Sequence, residues 1–447
     1  MDIVFLLKYL KKTKVYIIMA FVLISNPLTI SAFQANFSPF ISMSEEYTSN
    51  IVLSSHNVEY DYITSISPGF TVNMADKKNG ALITYTPSFV YYSRYTDYDT
   101  DRQSAQFSAW SSPGKNTRIT LDNSFMLTED PLEDDYFLDT SETLAEADTS
   151  IRKTREEYYT NTTSLNFAHQ FGAANHLQIN TIYRILENDD PLKDDTTEWN
   201  PSIGLKYGIV PGIDIDTDIS FKKNKYSGRY DPADDRETWE GSVRINKAFA
   251  QHLTSYISYK HTIVEYDGED EDYKVYEPLI GIKYTIAENT HINIGAGYFI
   301  QDRERSSGEE GLSIDGDIGK TFEFKRGAIS LTGSTGQHSS DFGSENNGFS
   351  RYYQITGSGD YNLTEHLSAN AIFTFREEKY TDLDDNKTDK TTKLNAGINY
   401  VPVLWLNLGL NYSYNTVNST ERDDDYNENR VTFIITMSPS KHYRLVK

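Results

Sequence analysis

From Ile213 to Phe221 the chain reads Ile-Asp-Ile-Asp-Thr-Asp-Ile-Ser-Phe, polar positions alternating with mostly apolar ones. Successive side chains of a strand point to opposite faces. The segment therefore predicts a strand with one apolar face and one face carrying Asp214, Asp216 and Asp218. The pattern returns roughly every 37 residues as a strand pair. Leu177, Ile179, Tyr183 and Ile185 share a face, as do Ile292, Ile294, Ala296, Tyr298 and Ile300, and again Leu404, Leu406, Leu408, Leu410 and Tyr412. Their interleaved neighbours are polar or small: Gln178, Asn180 and Arg184; His291, Asn293 and Gly295; Asn407, Gly409 and Asn411. These runs span roughly 12–15 residues, where strands of soluble domains are commonly about 5–6. That length crosses a bilayer with tilt.

The strand pairs are punctuated in two ways. Short turns rich in Gly, Pro and Asn mark one end: Asp76–Gly80, Pro113–Asn116, Gly172–Asn175, Pro211–Gly212 and Lys325–Gly327. These residues supply the dihedrals a tight hairpin needs. The other end is acidic, with Asp189-Asp190, Asp194-Asp195, Asp234-Asp235, Asp267 to Asp272, Glu309-Glu310, Asp384-Asp385 and Asp423 to Asp425. The fold class expected is all-β: a transmembrane antiparallel up-and-down β-barrel of about 20 strands, 18 being the alternative count. Short turns belong on the periplasmic side and the acidic loops outside. His176, His252, His291 and His366 recur beside the short turns at spacings of 76, 39 and 75, which reads as hairpin register and not as a metal site.

Composition supports this picture. No run beyond residue 40 is apolar enough for a membrane helix, a test that barrels escape because only alternate residues meet lipid. Thirty-three tyrosines and 13% aromatic residues fit the aromatic girdles of a barrel. The net charge of -23 argues against nucleic acid as a partner. The chain has no cysteine, which excludes disulfides and thiol chemistry. Residues 1–32 read as a signal peptide: Lys8, Lys11, Lys12 and Lys14 precede an apolar Val15–Ile24 stretch, Pro27, and small residues at Ser31-Ala32. Residues 33–447 form the barrel.

By alternation Asp122, Asp214, Asp216, Asp218, Asp315 and Asp317 point into the lumen, together with Arg184, Lys206, Lys222, Arg244, Lys260, Arg376 and Lys393. Charges on a wet wall tune selectivity, whereas on the lipid face they destabilise. Acidic loops at the mouth favour cations. The segment Glu129–Ser150 is acidic without a basic residue and is the third external loop by position. Glu133, Asp134, Asp135, Asp139 and Glu142 are its candidates for a constriction, the alternative being an external flap. Asp97-Tyr98-Asp99-Thr100-Asp101 opens like a calcium loop, but Arg102 and Ser108 occupy the places of the glycine and glutamate that an EF-hand requires. For an acid–histidine set at the rim, His338 with Asp341 and His261 with Asp267 are the candidates, and neither has a nucleophile motif. No enzymatic activity, cofactor or metal is expected.

Near the start come Glu46-Tyr47-Thr48-Ser49-Asn50-Ile51, then Asp61-Tyr62-Ile63-Thr64-Ser65-Ile66-Ser67-Pro68-Gly69-Phe70, then Tyr85-Thr86-Pro87-Ser88-Phe89 with Tyr91-Tyr92. These resemble the β-barrel porin type 2 group and its exopolysaccharide- and exosortase-associated outer-membrane relatives, over residues 45–92. Ser49 departs from the Asp expected there. The resemblance implies a bacterial outer-membrane barrel with a pore role and no catalytic residues. The functions expected are a pore for small hydrophilic solutes, a conduit or accessory for exopolysaccharide export, or a structural or surface-interaction barrel with a plugged lumen. The partners expected are outer-membrane lipid and lipopolysaccharide, the barrel-assembly machinery and, for the second function, polysaccharide-export components. Pro68 within a strand requires a ladder irregularity. After Met437, Pro439 and a basic tail depart from the usual aromatic ending of such barrels.

Overall fold

A computed structural model describes residues 34–131, 154–228, 234–287, 289–305, 307–340, 348–380, 387–420, 424–440 and 443–444. The signal segment 1–32 and the loop candidates Glu133, Asp134, Asp135, Asp139 and Glu142 lie outside these residues. So do Asp341, Asp384, Asp385 and Asp423, and the side chain of His338.

The first ten strands are β1 (Gln34–Thr48), β2 (Asp61–Ala75), β3 (Asn79–Tyr92), β4 (Thr100–Gly114), β5 (Thr117–Thr128), β6 (Tyr158–Gln170), β7 (His176–Asn188), β8 (Asp195–Val210), β9 (Ile213–Ser227) and β10 (Arg236–Ala250). The next ten are β11 (Leu253–Tyr266), β12 (Tyr273–Ala287), β13 (Thr290–Arg303), β14 (Glu310–Phe324), β15 (Gly327–Ser340), β16 (Gly348–Asn362), β17 (Leu367–Tyr380), β18 (Thr388–Val403), β19 (Leu406–Ser419) and β20 (Tyr426–Met437). Each pairs antiparallel with the next, and β20 pairs back onto β1 from Ile41↔Met437 to Thr48↔Arg430. The result is a closed barrel of 20 strands, each 12 to 16 residues long. A two-residue β21 (Tyr443–Arg444) returns beside Asn36 and Phe37, below the β1–β20 ladder. Leu404, expected within a strand, lies in the turn before β19 and is 83% exposed. Among the described residues no helix is long and apolar enough to cross a membrane, which says nothing of a barrel.

Two bands of exposed aromatic residues ring the apolar outer face. Tyr62, Tyr91, Tyr183, Trp199, Trp239 and Tyr298 lie toward the long loops, and Tyr207, Phe249, Tyr284, Phe324, Tyr361 and Tyr400 toward the short turns. Between them lie exposed aliphatic residues such as Ile203, Ile219, Ile280 and Leu331. Amphipathic rings sit where hydrocarbon meets headgroups.

Strand prolines coincide with breaks in the ladder. Pairing of β2 with β3 runs to Ile66↔Phe89 and resumes at Phe70↔Tyr85, leaving Pro68 and Pro87 in one gap. The Ser67 and Ser88 hydroxyls bridge that gap at 2.7 Å. Pro278 and Pro201 sit in equivalent gaps of β12–β13 and β8–β9. A proline has no N–H to give, so a ladder tolerates it only where a bond is missing. Tight turns close the opposite end: Gly212 and Gly172 take φ of +83° and +93°, values that glycine adopts at no steric cost. Asp76 caps its turn by accepting the N–H groups of Lys78 at 2.6 Å and Asn79 at 2.7 Å. The Lys78 amide, first among these contacts, holds the Asp76 carboxyl below its usual range.

Candidate functional site: the outer mouth and the lumen wall

The outer mouth is assembled from segments far apart in sequence. After β5 the chain turns inward, and Glu129 and Asp130 are almost fully buried. Arg430 on β20 grips the Asp130 carboxylate with two bonds of 2.7 and 2.8 Å, the two-pronged geometry of strong guanidinium–carboxylate pairs. Arg430 also bonds Glu428 at 2.5 Å and approaches Glu46 at 3.7 Å. Arg102 from β4 donates to Glu129 at 2.6 Å. Arg155, on the limb returning to β6, donates to the Tyr92 hydroxyl at 2.9 Å and to the Ile51 carbonyl at 2.7 Å. Tyr92 donates in turn to Glu129. Burial would raise both carboxyls, but the neighbouring guanidinium groups prevail. Arg102 and Arg155 hold Glu129 below the ordinary carboxylate range, and Arg430 with Arg155 holds Asp130 well below it.

The loop between β1 and β2 folds onto the same cluster. Ile51 packs with Ile63, Val90 and Tyr92, and Leu53 packs with Val417 and Tyr426. Asn50 donates from its amide to the carbonyls of Ser54 at 2.9 Å and Asn427 at 3.1 Å. Thr48 donates to Glu428 at 2.8 Å. The opening motif thus has a structural meaning: Glu46, Thr48, Asn50 and Ile51 all build the mouth. Asp61, which opens the second motif, accepts the amides of Tyr62, Arg94 and Tyr95.

Strand register places every lumen candidate on the face opposite the exposed aliphatic residues. Lys206 lies 3.5 Å from Asp214 and 3.7 Å from Asp216. Asn246 donates to the same two carboxylates at 2.7 and 2.8 Å. Asp218 lies on the same β9 face, Arg244 lies over the Tyr256 ring at 4.5 Å, and Lys260 pairs with Glu240 at 2.9 Å. Asp317 lies 2.7 Å from His291 and accepts from Asn293 at 3.1 Å, and Asp315 sits two residues before it on β14. Those residues occupy one sector of the wall, β8 to β14. Elsewhere, Arg184 meets Glu198 at 3.4 Å, Arg376 meets Glu378 at 2.9 Å, and Asp122 accepts from Ser108 at 2.6 Å. Lys393 faces Thr374 across β17–β18, and Lys222 faces Thr238 across β9–β10.

The remaining sector, β15 around to β6, is mostly hydroxyl and amide in its middle. Cross-strand hydroxyl pairs line it, including Ser42 with Thr436 at 3.0 Å, Thr71 with Thr84 at 3.3 Å and Thr356 with Thr374 at 3.5 Å.

Two other sequence candidates have different surroundings. The His261 ring lies tilted against Tyr276, centroids 4.7 Å apart, on the outer face and away from Asp267. Asp99 accepts the Tyr92 amide at 2.7 Å and so organises a turn. No cluster of three or more metal-ligating side chains occurs among the described residues. Sequence reasoning missed the mouth cluster; its detectable signals were Ile51 and Leu53, apolar residues stranded in a polar loop.

The two-faced wall, the aromatic bands and the wet interior define a large porin-like membrane β-barrel. Residues 328–438, essentially β15 to β20, match the family model described as "Putative beta-barrel porin 2". This is the family that the opening motifs resemble, at the other end of the chain. The fold is similar to that of the FrpB iron transporter from Neisseria meningitidis. The apoprotein form of its F5-1 variant matches with a TM-score of 0.52 at 10% identity, covering 90% of this chain and 81% of that one. The F3-3 variant gives 0.51 at 10% identity with the same coverage. At such identity the likeness concerns the fold alone. No curated protein sequence matches the chain.

Proposed function

We propose that this chain is an outer-membrane pore for small hydrophilic solutes, with an outer mouth narrowed by the roots of its own loops. The observation that carries the reading is the wall itself: 20 strands whose outer face is apolar and whose inner face carries the charged, hydroxyl and amide side chains described above. Barrels of 16–18 strands already enclose an aqueous channel. The acidic rim concentrates cations and supports a cation preference. Its surroundings would be outer-membrane lipid and lipopolysaccharide, reached through the barrel-assembly machinery. Purified protein in planar bilayers should give discrete conductance steps and a cation-biased reversal potential in a salt gradient. Silence of both the wild type and a variant with a loosened mouth would overturn the reading.

The buried Glu129–Asp130–Arg155–Arg430 cluster favours a second reading, a barrel whose lumen is plugged at rest. The hydroxyl and amide sector supports a third, passage of a hydroxyl-rich polymer with polysaccharide-export components as partners. Bilayer silence combined with tight closure separates the second from the first. Retention of neutral oligosaccharides separates the third.

A further inference from the structure

The charges of the β8–β14 sector are unevenly satisfied. Lys206, Lys260, Asp214, Asp216, Glu240 and Asp317 have the partners described above. Arg244 does not: its contact among the described residues is the Tyr256 ring, with no carboxylate within 4.0 Å. Lys283 is in the same position, 5.7 Å above that ring. Asp218 and Asp315 have no hydrogen-bond or ion-pair partner among the described residues. Arg244, Asp218 and Asp315 all line one recess of about 400 Å³ in the lumen wall. Small-molecule sites occupy roughly 300–1,000 Å³.

Two further features mark the recess as prepared for a polar guest. Ser258 lines it, is only 8% exposed, and its hydroxyl has no partner. Tyr256, which supports Arg244, cannot swing away freely. Its ring lies against Gly281 and Gly295, where an added Cβ would come within 2.2 and 2.8 Å of it. Arg244 is thereby held on a rigid platform.

The geometry points to a binding subsite for a small zwitterion, a solute carrying one acidic and one amino group. The Arg244 guanidinium takes the acid, with Lys283, 5.7 Å from the same ring, adding positive field. Asp218 or Asp315 takes the ammonium, and Ser258 donates or accepts one hydrogen bond. A solute of single charge would satisfy one side and leave the other as it is. The subsite deepens the pore reading, since it requires solute to reach the lumen.

Titration calorimetry on the full chain in detergent tests this with three probes: glycylglycine, N-acetylglycine (acid only) and glycinamide (amine only). Glycylglycine should bind at least tenfold more tightly than either single-charge probe. Arg244→Gln should lose that advantage while leaving glycinamide unchanged, and the double variant Asp218→Asn with Asp315→Asn should leave N-acetylglycine unchanged. Equal binding of N-acetylglycine and glycylglycine, or no saturable heat up to about 10 mM glycylglycine, overturns the proposal. The comparison of probes on the wild type holds even if a variant fails to fold. Binding in detergent needs no conduction, so binding combined with bilayer silence of both the wild type and the loosened-mouth variant sinks the pore reading alone. One that conducts without preferring the zwitterion sinks only the subsite.

Discussion

Asp130 and Arg430 stand 300 positions apart and meet through two bonds of 2.7 and 2.8 Å. One follows the fifth strand and the other lies on the last, so the pair ties a loop root across the barrel's outer end to the strand that closes it.

Removing one member of a buried pair leaves a buried charge uncompensated, at about 3–5 kcal/mol. Asp130→Asn should therefore release the loop root while Arg430 keeps Glu428 and Glu46. The expected result is a larger single-channel conductance with the folded barrel's heat-modifiable gel mobility retained. Unchanged conductance would show that the pair does not limit the mouth.

The acidity of Glu129 and Asp130 sets a pH window. Both carboxyls are held below their ordinary range by neighbouring arginines. A depressed folded value means stabilisation that is fully present above the unfolded pKa of about 4 and is lost as pH falls through the folded value. The Glu129 and Asp130 pairs should therefore contribute no change in conductance from about pH 5 to 8 and give way only in stronger acid, a rise that Glu129→Gln with Asp130→Asn should abolish. A transition near neutral pH would assign control of the mouth to other groups.

Lipid-facing and lumen-facing positions should respond oppositely to charge. Ile280 is 65% exposed on the outer face, and Ile280→Arg should cost about 2–4 kcal/mol in refolding into lipid vesicles. Ser164→Lys, opposite Asp122 on the wet face, should cost less than about 1 kcal/mol, as for surface substitutions generally. Equal costs would contradict the assignment of faces.

Gly80 lies under the Trp110 indole, and a Cβ there would come within 2.4 Å of it. Gly80→Ala should destabilise by about 1–3 kcal/mol through overpacking. Adding Trp110→Ala should recover much of that loss, measurable as a double-mutant cycle in denaturant.

The wall was legible in the sequence because lipid imposes a strict test on every second residue. Ile213 to Phe221 shows it, as does Pro68, whose missing N–H announced a ladder gap; that Pro87 shares the gap is seen only in the strand pairing. Leu404 failed because an apolar residue at a membrane-edge turn looks like a strand residue. The mouth cluster was illegible for a different reason. Arg430 and Glu428 lie on the wet face, where alternation says only that a residue is polar. Arg430's partner Asp130 comes from a distant loop, and a contact across the barrel leaves no periodic trace. Ile51 and Leu53 were the local exceptions that pointed to it.

The closing ladder of β1 with β20 runs over eight pairs, Ile41 to Thr48, whereas β1 with β2 runs over fifteen. Its lower part is bridged only by Tyr443–Arg444. Mechanically, the cylinder therefore has its shortest ladder, one pair fewer than the nine of β14 with β15, at the place where its first and last full strands come together, with Arg430 in the final pair. A pull on the C-terminal side of β20 loads that join as a zipper, one pair at a time from the short-turn end. The barrel should come apart by peeling from β20, with the mouth cluster as the last point to yield along that seam.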